Sequence, residues 1–130
     1  MNFALSVQGS PYASASHWSA LRFAEAALTN NHKIHRVFFY HDAVLIGSRL
    51  QAPPQDETNL TTAWQHLGSV HELDLCLCVA SCLRRGILDA AEAKRFEKSA
   101  DNLASGFQIT GLGQLIEAAL VSDRLVTFRG

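Results

Sequence analysis

The 130-residue sequence has no long apolar run and no excess of charge of either sign. No apolar stretch reaches the roughly 18 residues that a membrane-spanning helix needs, and the first residues lack the basic region and cleavage site of a secretion signal. Lys and Arg total 11 against 12 Asp and Glu, a formal net charge of -1, which gives no general attraction to nucleic acid or anionic lipid. We therefore expect a cytoplasmic protein without direct contact to nucleic acid or a membrane.

Cysteine is scarce: the chain has 3, all between Cys76 and Cys82. An odd, clustered set argues against a secreted disulfide framework and favours free thiols in a reducing compartment. The spacing Cys-x-Cys-x-x-x-Cys lacks the Cys-x-x-Cys pairs of structural zinc sites and thioredoxin-like redox couples. Cys76 and Cys78 would point the same way from a strand, roughly 6.6 Å apart, so their Cβ atoms would not converge for a disulfide. We expect no metal, no cofactor and no disulfide.

The sequence also lacks a G-x-G-x-x-G fingerprint and a P-loop. A serine-rich loop over residues 9–16 does lie between the first predicted strand and helix, where a phosphate or a flavin could meet helix amides. Serines in such a loop are more commonly helix caps. A flavin-binding or phosphate-binding module therefore stays open as an alternative.

What the chain does contain is a globular composition, with 48% apolar and 18% charged residues. A chain of this length can bury a sizeable core in one domain, which we expect to span residues 1–130. Hydrophobic periodicity predicts strands over 2–8, 33–40, 73–79, 107–110 and 124–128, and helices over 14–31, 59–71, 89–98 and 112–120. Pro53 and Pro54 make 41–58 a long connection. Alternating strands and helices predict an α/β fold with one parallel sheet covered on both faces.

The predicted helix starts have candidate caps. Ser14 or Ser16 could cap the first helix, and Asp89 with Glu92 forms an Asp-x-x-Glu capping box. Thr110 is the expected cap of the last helix, whose apolar residues recur at i, i+3, i+4, i+7 and i+8 and make it amphipathic.

Other positions carry expectations about burial. Phe96 should face inward from the helix over 89–98, and His17 and His41 should be surface histidines. The apolar segment 42–47 is either an exposed interface strip or part of the core. An exposed strip would suit a purely structural subunit that supports a catalytic neighbour.

Residues 73–86 hold every cysteine and lead from an apolar strand into a basic turn. Cys78 falls at the exit of that strand, and in parallel sheets ligands and reactive groups collect beyond the carboxyl ends of the strands. We expect a thiol there to be reachable from solvent, with a following helical turn, Arg84 and Arg85 favouring its thiolate. Cys76 and Cys82 are expected to be inert and buried.

A single activated thiol without a partner histidine or acid is a poor hydrolase but an adequate carrier. It can attack a persulfide, hold the transferred sulfur as Cys–S–SH and yield it to another thiolate. We therefore expect Cys78 to be the catalytic residue.

Several segments together resemble one known family over nearly the whole chain. They are GSPY from Gly9, RVFFYHDAV from Arg36, AWQHL from Ala63, LCVASCLRRG from Leu77 and NLASGFQITGLGQLIEAALVSDRLVTF from Asn102. On these segments the chain resembles the DsrE-like family, in particular the DsrE and TusD branch of bacterial sulfur-relay subunits.

The resemblance implies a flavodoxin-like α/β fold and matches Cys78 to the family's persulfide-forming cysteine. It implies a hexamer with two copies each of three related chains (DsrE, DsrF and DsrH, or TusD, TusC and TusB). The hexamer would pass sulfur to a small DsrC or TusE type protein. The DsrE branch serves dissimilatory sulfur oxidation and is the one we favour, whereas TusD serves thiolation of the wobble uridine of certain transfer RNAs. Cys76 and Cys82 match no expected family cysteine.

Overall fold

The structure, a computed structural model, describes residues 1–130. Its elements follow the predicted alternation, and none of its helices is both long and apolar enough to cross a membrane. In chain order they are β1 (Asn2–Val7), α1 (Ser16–Thr29), β2 (Lys33–Phe39), a 3₁₀ helix (His41–Gly47), α2 (Leu60–His71), β3 (Leu75–Cys78), α3 (Val79–Arg84), α4 (Ala90–Arg95), β4 (Phe107–Thr110), α5 (Gly113–Val121) and β5 (Arg124–Phe128).

The five strands form one sheet in the order β4-β3-β2-β1-β5, and every neighbouring pair is parallel. The predicted α/β class with a single parallel sheet is confirmed. Strands β1 to β4 are added in one direction, and β5 returns to the other side of β1. This order differs from the 2-1-3-4-5 order of flavodoxin itself. It leaves β3, the cysteine strand, in the interior of the sheet between β2 and β4.

The two faces of the sheet are covered unequally. Side chains alternate along each strand, so Val7, Phe39 and Leu77 share one face, which we call the helical face. There α1 and α2 pack through aromatic contacts, including Phe39 against Trp64 with ring centroids 5.2 Å apart. The opposite face, here called the cysteine face, is crossed by α5, which contacts β1, β2 and β5. The crossover from β4 to β5 runs in the reverse direction and therefore falls on this face.

The predicted caps are partly right. Asp89 caps α4, because its carboxylate accepts a hydrogen bond from the Glu92 amide at 2.8 Å. The N-cap of α1 is Ala15, without a side-chain cap, and the Ser14 hydroxyl accepts from the amide of Ser16 instead. Ser14 therefore pairs with a first-turn amide of α1, but neither Ser14 nor Ser16 occupies the N-cap position.

The prediction that Thr110 caps the last helix is also wrong. Thr110 is the final residue of β4, and the N-cap of α5 is Leu112, which makes no side-chain cap. Because two residues separate Thr110 from the first turn, its hydroxyl is too early in the chain to meet the free amides of α5.

Burial differs from expectation at three places. Phe96 is exposed because α4 ends at Arg95, before the helix could turn this ring inward. The segment over 42–47 belongs to the core, since Val44 and Ile46 in the 3₁₀ helix are fully buried, and so it is not an interface strip. His41 is exposed as predicted, whereas His17 is fully buried, which corrects its expected place on the surface.

His17 is held in the core as a neutral ring. It stacks on Phe39 at 5.6 Å between ring centroids, and the indole N–H of Trp64 donates to its Nδ1 at 3.1 Å. Burial lowers the pKa of His17 to about 4, although the backbone of Gly9 acts in the opposite direction. Because Nδ1 accepts this hydrogen bond, the proton of the neutral ring sits on Nε2.

Acidification should therefore destabilise the protein through His17. Below about pH 6.5 the unfolded chain takes up a proton on His17, whereas the folded chain does so only near pH 4. The free energy of unfolding therefore falls by roughly 3 kcal/mol as the pH drops from about 6.5 towards 4. Replacing His17 with Asn keeps an acceptor for Trp64 and should remove most of this loss. The measurement is the free energy of unfolding by urea between pH 4 and 7, with the exposed His66→Asn as control. An unchanged pH dependence in His17→Asn would contradict this role.

Candidate active site

Cys78 is both the last residue of β3 and the N-cap residue of α3. This is the strand exit at which the sequence places it. The residue is only 3% exposed, however, because all four residues of β3 are buried between neighbouring strands. The expected access from solvent is therefore wrong for the chain by itself.

The neighbours of Cys78 follow from the strand register. Cys76 pairs with Phe38 on one side and with Gln108 on the other, and Cys78 pairs with Thr110. Because paired residues of parallel strands project to the same side, these side chains all belong to the cysteine face. The hydroxyl oxygen of Thr110 is buried there without a hydrogen-bond partner.

The two arginines of the basic turn do not hydrogen bond to Cys78. Arg85 donates from Nε to the Asp42 carboxylate at 2.8 Å and from Nη1 to the Ser81 carbonyl at 3.1 Å. Arg84 is exposed. The ion pair with Asp42 offsets the charge of Arg85 and so reduces the positive potential that this arginine was expected to supply at Cys78.

Cys76 and Cys82 are weak nucleophiles at neutral pH. Burial raises the pKa of Cys82 to about 12, with Cys78 adding to this effect and Arg85 opposing it. Burial and then the Asp74 charge raise the pKa of Cys76 to about 12, and the Cys76 thiol donates to Asp74 at 3.3 Å. Both thiols stay protonated near pH 7, and both are buried as expected.

An ionic cluster on the cysteine face was missed by the sequence analysis. Arg36 donates to Asp74 at 2.7 Å, to the Gln114 carbonyl at 3.0 Å, and also to Glu117. Burial acts to raise the pKa of Asp74, but the hydrogen bonds from Arg36, Cys76 and Gln108 outweigh burial and hold this pKa below its usual range. The sequence did contain one signal of this cluster, because Arg36 is a charged residue inside a largely apolar strand. The cluster fixes α5 across the face that carries the cysteines.

Most of the apolar stripe of α5 does not face the core, although Leu115 packs against it. Only Ala118 of this helix is buried, and Leu120 is 80% exposed. We name the exposed apolar group the α5 surface; it comprises Leu112, Ile116, Leu120, Val121 and the adjacent Leu125 on β5. The amphipathic pattern is thus present, but its apolar side points out of the chain, as at a protein interface.

The depressions of the protein surface lie away from the cysteines. Two polar ones of about 630 and 370 Å³ flank α2 and share Gln65 and Ser105 in their walls. A third, of about 430 Å³, lies beside the serine-rich loop, where Ser14 donates to Ser16 at 3.1 Å. This local hydrogen bond gives the serines a structural role, so nothing observed favours a flavin-binding or phosphate-binding module.

The amino-acid sequence matches the DsrE/DsrF-like family over residues 1–128. It is 49% identical over 128 residues to DsrE of Allochromatium vinosum, with 98% of both chains covered. It is 48% identical to the sulfurtransferase TusD of Erwinia tasmaniensis, with 98% of this chain and 100% of that one covered. The fold is similar to that of the ychN protein from E. coli, with a TM-score of 0.78, 26% identity and coverage of 98% and 99%. The chain therefore belongs to the DsrE/DsrF-like family.

Proposed function

We propose that the chain is a sulfurtransferase subunit that carries sulfur as a persulfide on Cys78. The sulfurtransferase class follows from the TusD relative, which is nearly half identical over its whole length. The assignment of the sulfur to Cys78 rests on its place at the carboxyl end of β3. Burial raises the pKa values of Cys76 and Cys82, which disfavours their thiolates and speaks against sulfur being carried on either of them.

The carrier reaction has two exchange steps. In loading, the Cys78 thiolate attacks the outer sulfur of a donor persulfide R–S–SH. A new S–S bond forms, the old one breaks, and R–S⁻ leaves. In release, an acceptor thiolate attacks the outer sulfur of Cys78–S–SH, and the Cys78 thiolate leaves. No net oxidation or reduction occurs in either step, so no cofactor is required.

The surroundings of Cys78 suit a carrier better than a hydrolase. Hydrolysis by a thiol needs a general base beside the nucleophile. His17 cannot serve, because its ring is locked between Phe39 and Trp64. His41 is exposed, and it contacts the Ser81 hydroxyl through its backbone amide and not through its ring.

The α5 surface supports an assembly with related chains. We propose a hetero-hexamer with DsrF-type and DsrH-type subunits, or with TusC and TusB in the alternative branch, acting in the cytoplasm. A small DsrC or TusE type protein would accept the sulfur.

We favour the DsrE branch and dissimilatory sulfur oxidation, and keep the TusD relay for transfer RNA wobble uridine thiolation as the alternative. Sulfite reductase genes beside this one would favour the former. A non-catalytic structural subunit is the outcome that a failed loading test would indicate.

Cys78→Ser should abolish sulfur loading. After exposure to a persulfide donor in the presence of partner subunits, intact-mass spectrometry should show the wild-type chain gaining one sulfur atom that reductant removes. The Cys76→Ser/Cys82→Ser variant is the matched control and should load like wild type. Loading that survives in Cys78→Ser would refute the assignment, and no loading in any variant would indicate a structural subunit.

Ile116→Glu/Leu120→Glu should break the proposed assembly. Both side chains are more than half exposed in the chain, and burial of these two side chains against a partner would stabilise the complex, so replacing both with charged residues should weaken association at least about a hundredfold. The control is Val70→Glu on α2, because Val70 is 60% exposed and Ile116 is 58% exposed. Light scattering of co-produced subunits gives the molar mass. Retention of the hexamer by the double variant would place the interface elsewhere.

A further inference from the structure

We propose that the hydroxyl of Thr110 donates a hydrogen bond to the Cys78 sulfur when that sulfur is a thiolate. This inference rests on the proposed function and adds a second residue to the site. The two-step exchange can proceed without such a donor, so the hydrogen bond is an addition to the proposed reaction.

The strand register brings the two residues together. Cys78 and Thr110 are Cα partners in the parallel pair of β3 and β4. Neighbouring strands lie about 4.8 Å apart, and paired side chains project to the same face. The Thr110 hydroxyl and the Cys78 sulfur therefore project from directly neighbouring positions on the same face of the sheet.

The Thr110 hydroxyl makes no regular hydrogen bond, although it lies near enough to Cys76 to lower the pKa of that thiol. Its oxygen is buried and has no hydrogen-bond partner, whereas buried polar groups are nearly always paired. It does not cap α5, whose N-cap is Leu112. A buried hydroxyl left unpaired in the resting chain is available to a group that becomes charged only during the reaction.

Cys76 is the competing acceptor on this face. The Thr110 hydroxyl acts to lower the pKa of Cys76, but burial and Asp74 outweigh it. The Cys76 thiol also directs its own proton to Asp74 at 3.3 Å. Cys76 thus remains a neutral thiol, and a neutral sulfur is a weaker acceptor than a thiolate.

A donor to the Cys78 sulfur would assist both exchange steps. The thiolate is the nucleophile in loading and the leaving group in release, so the same charge appears on the same sulfur at the start of one step and the end of the other. The hydroxyl keeps its proton throughout and only donates a hydrogen bond. Because the bond is charge-assisted, it strengthens when the charge is present.

The test compares Thr110→Val, which is close in shape but has no donor, with Thr110→Ser, which keeps the hydroxyl. Both are made in the Cys76→Ser/Cys82→Ser chain, so that Cys78 is the only thiol. The readouts are the pH profile of Cys78 alkylation by iodoacetamide, and the rates of loading and release in the assembled complex. Thr110→Val should shift the alkylation midpoint upward by about one pH unit and slow both rates about tenfold, while Thr110→Ser stays within about twofold.

Two results would overturn the inference. One is an unchanged alkylation profile in Thr110→Val, and the other is an equal effect of Val and Ser, which would indicate side-chain shape and not the hydroxyl. Thr110→Ala provides a second donor-free variant if Thr110→Val does not fold. Failure of the parent Cys76→Ser/Cys82→Ser chain to load sulfur would count against the proposed function separately, and the alkylation profiles would still decide the role of Thr110.

Discussion

The parallel pairing of β3 with β2 and β4 is the constraint on which the candidate site depends. It gives Cys78 a fixed position at the carboxyl edge of the sheet, in register with Thr110, and it also buries the thiol almost completely. The same pairing therefore positions the sulfur and protects it. A persulfide is prone to exchange with any accessible thiol, so burial suits a carrier that must release its sulfur to one partner only.

The ionic cluster around Arg36 links this sheet to a surface that the chain leaves open. By bonding to Asp74 beside β3 and to Gln114 on α5, Arg36 holds the helix across the cysteine face. The helix then presents its apolar residues outward. The first of them, Leu112, stands at the start of the helix, two positions after Thr110.

Periodicity along the chain was a good guide where each element buries one clear face. The β strands were predicted within one or two residues, because the apolar alternation that defines them also packs them. Periodicity could not tell which partner covers an apolar stripe, and so it did not show that Ile116 and Leu120 face outward. His17 was misjudged because its burial depends on Trp64, a residue 47 positions away that supplies a hydrogen bond. The Arg36 cluster is likewise a long-range contact, visible only after folding.

Direct transfer of sulfur is the measurement that decides most closely whether Cys78 is the carrier. A complex loaded with isotopically labelled sulfur would be mixed with a DsrC or TusE type acceptor, and the intact masses of both chains would be followed over time. We expect the label to leave the wild-type chain as it appears on the acceptor, without release of free sulfide, and a Cys78→Ser complex to transfer nothing. Equal transfer by the Cys78→Ser complex would show that the sulfur travels by another residue.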